Sequence, residues 1–277
     1  MKALIRWSAT LSLVGGVLLG SLVTGNTRAL ALTQAQVAER LRPVPVFTLT
    51  DGQGSPLVAS PQEGQQGPPI AGVFISQQDA QNFLTSLRQS NPDLARNVEI
   101  TPISLAEVYQ LAQEGQNQSD RLEFAFVPIQ QEVQTAVSLL QQSGQQVEQF
   151  QGVPLFVARS SGQNGGYLTI QQGEQQVIPM FFKRDELQAV LDRVRQQQPN
   201  LAGMTIQVVN LEGLIETLQS SDNPELNRIL LIPPRESIDF IRSLPTAPAN
   251  QPGAGQPSSG TPAPRSNAAP SSGAPRR

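Results

Sequence analysis

The chain matches itself without gaps at an offset of 107 residues, and this limits its fold more than any other feature. Phe74, Gln81, Leu84, Arg88, Gln89, Pro92, Leu94 and Ala95 meet Phe181, Gln188, Leu191, Arg195, Gln196, Pro199, Leu201 and Ala202. The flanks match as well. Val44-Pro45-Val46-Phe47 resembles Val153-Pro154-Leu155-Phe156, and each is followed by a glycine turn, at Asp51–Gly54 and at Asn164–Gly166. Ser104-Leu105-Ala106-Glu107 has its counterpart in Asn210-Leu211-Glu212-Gly213, and Val127-Pro128 in Ile232-Pro233. One supersecondary unit is thus used twice.

Hydrophobic period reads out the elements of that unit. Val46–Leu49 and Leu155–Ala158 are strands before hairpin turns. Val73-Phe74-Ile75 and Met180-Phe181-Phe182 are short apolar runs, read as buried strands. Ala80, Phe83, Leu84 and Leu87 then recur at helical spacing, as do Leu187, Val190, Leu191 and Val194. Ser76 with Asp79 suits the first of these helix starts, and Pro92 and Pro199 stop the two helices. Residues 98–103 and 205–209 are β-branched strands. Ser104-x-x-Glu107 is a capping box that opens a helix with Leu105, Val108 and Leu111 inward. Leu211, Leu214, Ile215 and Leu218 form the matching helix. Strands at 124–127 and 228–232 follow. A last helix in each half carries Val133, Val137 and Leu140, or Ile238, Ile241 and Leu244. The order strand-hairpin-helix-strand-helix-strand-helix, used twice, predicts an α+β (α/β layer) fold with a mixed sheet flanked by helices. The pseudo-repeats span 32–148 and 149–244.

The ends differ in kind from this body. Lys2 and Arg6 precede an uncharged apolar stretch from Ala9 to Val23, and Ala29-Leu30-Ala31 follows. Charge, apolar core and small residues in that order form a secretory signal, predicted to be cleaved after residue 31. The apolar run is shorter than the about 20 residues a spanning helix needs. No Arg-Arg pair marks a twin-arginine route, and no Cys offers a lipid anchor. Residues 245–277 are rich in Pro, Ala, Gly and Ser, with no aliphatic residue larger than Ala. That composition predicts a disordered tail. The expected location is a periplasm or thylakoid lumen, reached by a Sec-type signal.

Composition excludes much chemistry. Of 277 residues none is Cys or His. A Ser-His-Asp triad, thiol catalysis and ordinary zinc ligation are therefore ruled out, and no cofactor is indicated. Residues 32–244 carry 13 Lys and Arg against 22 Asp and Glu, a net charge of −9. Nucleic-acid binding needs the opposite sign.

The remaining chemical candidates are few. Lys183 suits a Ser-Lys hydrolase or, equally, a solvated charge beside Arg184, Asp185 and Glu186. Asp185 with Glu186 point apart on a helix, whereas Glu212 with Glu216 share a helix face. Paired acids run glycoside hydrolysis, but stacking aromatics are scarce beyond Tyr109 and Tyr167. The glycines at 52–54 and 162–166 lack P-loop spacing, and Asn117-Gln118-Ser119 is a glycosylation sequon by pattern alone. What is left is binding surface. Phe74, Ile75, Met180, Phe181 and Phe182 are apolar clusters at matching positions. They are expected either in the core or lining paired apolar grooves that hold extended chain, where Met adapts its shape.

Leu41-Arg42-Pro43-Val44-Pro45-Val46-Phe47-Thr48-Leu49-Thr50, Pro69-Ile70-Ala71-Gly72-Val73-Phe74-Ile75-Ser76, Val153–Phe156 and Pro179–Lys183 together resemble a known family. It is the family of the twenty-two-kilodalton subunit of the translocon at the inner envelope of chloroplasts, in its cyanobacterial form. The resemblance covers about residues 33–244. It implies a soluble periplasmic protein, in plants one of the intermembrane space. It implies a chaperone-like role in outer-membrane biogenesis, for unfolded, precursor or outer-membrane proteins in transit near Omp85-type barrel machinery. It implies no enzymatic reaction and no catalytic residue. The alternative reading is a periplasmic hydrolase using carboxylates or a Ser with Lys183, and a third is a purely structural adaptor.

Overall fold

The computed structural model describes residues 31–60, 67–115, 121–160, 165–197 and 203–244. The predicted signal through Leu30, the sequon at 117–119, Asn164, Pro199 and the tail from 245 lie outside them.

Side chains set the ends of the first-half elements. Thr33 and Gln36 form a capping box for α1 (Gln34–Leu41), which buries Val37, Ala38 and Leu41. After β1 (Pro45–Thr50), Asp51 Oδ1 accepts from the N–H groups of Gln53 and Ser55, both at 2.9 Å. Gly54 supplies the positive φ of 84° that this turn needs. The chain then forms β2 (Val58–Ala59) and β3 (Ile70–Phe74). Ser76 caps α2 (Gln77–Ser90), accepting from the Asp79 N–H. Asn91 closes α2, and its side chain opens α3 (Pro92–Ala95). β4 (Glu99–Ser104) runs straight into α4 (Leu105–Gly115). There Ser104 Oγ accepts from the Ala106 N–H at 3.1 Å, and Glu107 Oε2 from the Ser104 N–H at 3.4 Å. β5 (Glu123–Val127) and α5 (Gln130–Gln142) complete the half.

The second half runs β6 (Pro154–Ser160), β7 (Ile170–Gln172), β8 (Gln175–Phe181), α6 (Arg184–Gln197), β9 (Met204–Asn210) and α7 (Leu211–Ser220). A 3-10 turn, Pro224–Arg228, leads to β10 (Ile229–Ile232) and α8 (Arg235–Ser243).

The fold is α+β, with the mixed sheet present as two five-stranded sheets. In the first, β3 pairs antiparallel with β1 and β2 and parallel with β5, and β4 pairs with β1. In the second, β8 pairs antiparallel with β6 and β7 and parallel with β10, and β9 pairs with β6. Phe47 stands opposite Phe74 in one register, and Phe156 opposite Phe181 in the other.

Strand alternation distributes the core. Val46, Val73 and Ile75 from the first sheet join Leu155, Val157, Ile178 and Met180 from the second in a central cluster with α1, α4 and α7. The opposite faces form separate clusters. Phe47, Leu49 and Phe74 pack with α2, while Phe156, Ala158 and Phe181 pack with α6.

The last helix of each half covers the sheet of the other half. On α5, Ala136 and Leu139 pack into the cluster around Phe156 and Phe181, and the buried Glu132 accepts the Arg184 N–H at 3.1 Å, capping α6. On α8, Phe240 and Ile241 pack into the cluster around Phe47. The Ser237 Oγ donates to the Ile75 carbonyl at 3.4 Å. The buried positions of these helices are accordingly not the expected ones. Ser237 is buried on α8 and Ala136 on α5, whereas Val133, Val137 and Ile238 are half-buried. Leu111 and Phe83, expected inward, are each 48% exposed. Tyr109 and Ala106 take the inward positions on α4, and Phe83 lies over Phe74, ring centroids 5.4 Å apart.

Candidate functional site: an apolar groove between α4, β5 and α7

Phe74, Ile75, Met180, Phe181 and Phe182 are core residues, between 1% and 6% exposed. The reason is topological. β3 and β8 are each paired on both sides, and helices or the central cluster cover both faces of each. In this arrangement none of the five offers a face to a bound chain, which corrects the groove assignment.

An open groove lies elsewhere. It has a volume of about 450 Å³ and runs between α4 and β5 of the first half and α7 of the second. Leu105 and Val108 form the buried floor, and Phe124, Phe126 and Ile215 are half-buried walls. Tyr109 joins the two sides, its hydroxyl accepting from Gln219 Nε2 at 2.7 Å. The rim is polar and mainly acidic: Glu123 pairs with Arg121, and Glu212 and Glu216 stand on α7. The alternating Phe124-Ala125-Phe126 was visible as a strand. Its position beside α7, some ninety residues on, was not, because no local pattern reports which elements of two halves meet.

The carboxylates perform structural work. Glu212 accepts from the Val153 N–H through both oxygens, at 3.3 and 3.1 Å. Burial raises its pKa, opposed by the N–H groups of Glu212 itself and Val153. Gly152, at φ 79°, lies against Glu212 and Asn210 so closely that a Cβ there would overlap both side chains. Burial likewise raises Glu132, opposed by the Arg184 N–H and by Lys183. Asp79, at the start of α2, is raised first by burial and then by Glu236, and its buried Oδ2 has no hydrogen-bond partner. Lys183 Nζ pairs with Glu236 at 3.2 Å, and Arg184 with Asp185. Lys183 is thus paired with a carboxylate across from α8, and Glu212 with the Val153 N–H. No group of three or more acidic side chains suited to a metal ion occurs among the described residues. No helix among them is long and apolar enough to cross a membrane.

The Tic22-like family model matches residues 16–243. The pea protein TIC 22, chloroplastic, from Pisum sativum, is 24% identical over 224 residues, 78% of this chain and 82% of that protein. Protein TIC 22-like, chloroplastic, from Arabidopsis thaliana, is 24% identical over 208 residues, covering 73% of this chain and 62% of its own length. Among solved structures, Anabaena Tic22, described as a protein-transport protein, superposes with a TM-score of 0.69 at 34% identity, over 78% of this chain and all of that one. Tic22 from Plasmodium falciparum shares the fold, with a TM-score of 0.59 at 19% identity over 74% of this chain and 95% of that one.

Proposed function

This chain belongs to the Tic22-like family, and on that footing we propose that it acts in protein transport as a non-enzymatic holding factor for unfolded or precursor polypeptides. Its clients include outer-membrane proteins, and it works in the periplasm beside Omp85-type barrel machinery, exported by the signal at residues 1–31. The two halves are a duplicated module. The observation that carries this reading is the open groove of about 450 Å³ walled by Phe124, Phe126 and Ile215. Its apolar walls and polar rim suit a segment of unfolded chain better than a reacting small molecule. The protein-transport description of Anabaena Tic22 supports the same reading, as does the lack of His and Cys.

The test is suppression of aggregation of a β-barrel protein diluted from denaturant. The wild-type chain is expected to keep it soluble near equimolar ratio. Ile215→Asp and Phe124→Asp, both at half-buried positions, are expected to lose most of that effect with unchanged circular dichroism. Full suppression by both folded variants would remove the groove from the function.

A further inference from the structure

β5 has one committed edge and one open edge. The Glu123 N–H donates to the Pro69 carbonyl at 2.9 Å, and the Val127 carbonyl accepts from the Ile75 N–H at 3.1 Å. In a parallel ladder successive residues point their backbone groups to opposite sides, so those of Phe124 and Phe126 point away from β3. Among the described residues no strand pairs with β5 on that side, and no hydrogen bond reaches those groups. The matching strand of the second sheet, β10, is also paired on one side only, but its corresponding side chains offer no trough, since Ile229 and Leu231 are buried. Phe124 and Phe126 are half-buried, and their side chains line the groove. An unpaired strand edge beside an apolar trough is the geometry of strand addition, where backbone bonds supply affinity and alternate side chains fill the trough.

We propose that β5 is an acceptor edge, to which an extended segment of another polypeptide adds as a strand. Every second side chain of that segment is apolar and enters the groove between β5 and α7. The residues between them include Lys or Arg. The rim chooses that sign: Arg121 is already paired with Glu123, while Glu216 has no cationic partner among the described residues. The inference rests on the holding role proposed above and specifies its chemistry. The segment is recognised through its backbone, so any sequence with this alternation is accepted.

A fluorescent ten-residue peptide with Val and Phe at odd positions and Lys and Thr at even ones serves as the probe, with the protein in full. Two further peptides carry N-methyl groups on alternate amides, one on odd residues and one on even. Because alternate amides of a strand face opposite edges, one methylated peptide is expected to bind on the order of tenfold more weakly and the other about as well as the parent. Equal affinity for both would overturn strand addition while leaving the groove intact. On the protein side, Phe126→Pro deletes an outward N–H without touching the β3 ladder, since proline is tolerated at an open edge. Phe126→Leu removes the ring but keeps the N–H. The proline variant is expected to bind on the order of tenfold more weakly than the leucine variant; equal binding would overturn the proposal. If the proline variant is unfolded by circular dichroism, the methylated pair decides alone. A wild-type dimer in sedimentation that Phe126→Pro dissolves would assign the edge to a second copy and also overturn it. Failure of the parent peptide to bind would end the inference, whereas the holding role is judged separately by aggregation of the barrel protein.

Discussion

Phe47 and Phe240 meet edge to face, ring centroids 5.6 Å apart and planes at 71°, although β1 opens the first half and α8 closes the second. Phe47 is fully buried, and part of its cover comes from a helix nearly two hundred residues away. Phe240→Ala is expected to cost about 2 kcal/mol, below the range for a fully buried Phe because Phe240 is half-buried. Urea denaturation checks it. A loss under about 0.5 kcal/mol, the scatter of surface changes, would mean that α8 contributes little to the first sheet.

Glu132 makes the reciprocal connection, from α5 of the first half to the start of α6 in the second. Glu132→Ala removes the acceptor for the Arg184 N–H and is expected to cost about 1–2 kcal/mol. Glu132→Gln keeps an acceptor oxygen and is expected to cost less. Equal losses in the two variants, measured near pH 7 by chemical denaturation, would show that the cap is not the source of the stability.

Asp79, Glu132 and Glu212 all bind a proton more tightly in the folded chain than their ordinary values of 3.8, 4.5 and 4.5. In that window the folded state holds more protons than the unfolded state, so their contribution to stability falls as pH rises. The fall begins near the ordinary values and ends above the raised ones. Asp79 isolates the effect, since its Oδ2 has no partner to lose. Relative to wild type, Asp79→Asn is expected to gain stability between about pH 3 and pH 7, read from urea midpoints. A difference between variant and wild type that does not change with pH would contradict this.

Gly152 has φ 79° and its Cα faces the carboxylate of Glu212. Gly152→Ala combines a left-handed backbone with a displaced cap on Val153 and is expected to cost about 1–3 kcal/mol. Gly173, at φ 60° with open space around it, is the control. Its alanine variant shares the backbone cost alone and is expected to lose less in thermal melting. Equal melting temperatures would show that Glu212 moves aside freely.

Much of the fold was legible because it is local. Ser76 and the Ser104–Glu107 pair cap where their patterns said they would, while the cap at Asn91 was not read from the sequence. The apolar runs around Phe74 and Phe181 became central strands. Leu111 misled because helical spacing marks a stripe but not its centre. Tyr109, less apolar by type, went inward because its hydroxyl found Gln219 on α7. Phe74, Ile75, Met180, Phe181 and Phe182 misled for a related reason. Apolar density marks burial, and it cannot separate a core from a groove.

The amino-acid sequence by itself determined most of the strands and helices and the caps at Ser76 and Ser104, the α+β class and the absence of imidazole and thiol chemistry, because each depends on residue type and on neighbours within a few positions. Tertiary structure alone decided that α5 and α8 change places and that the groove belongs to α4, β5 and α7. It also decided that Phe124 and Phe126 of β5 stay half-buried beside a groove while Ile229 and Leu231 of β10 are buried. Those outcomes depend on which apolar faces meet across a hundred residues or more, and faces of similar composition carry no label naming their partner.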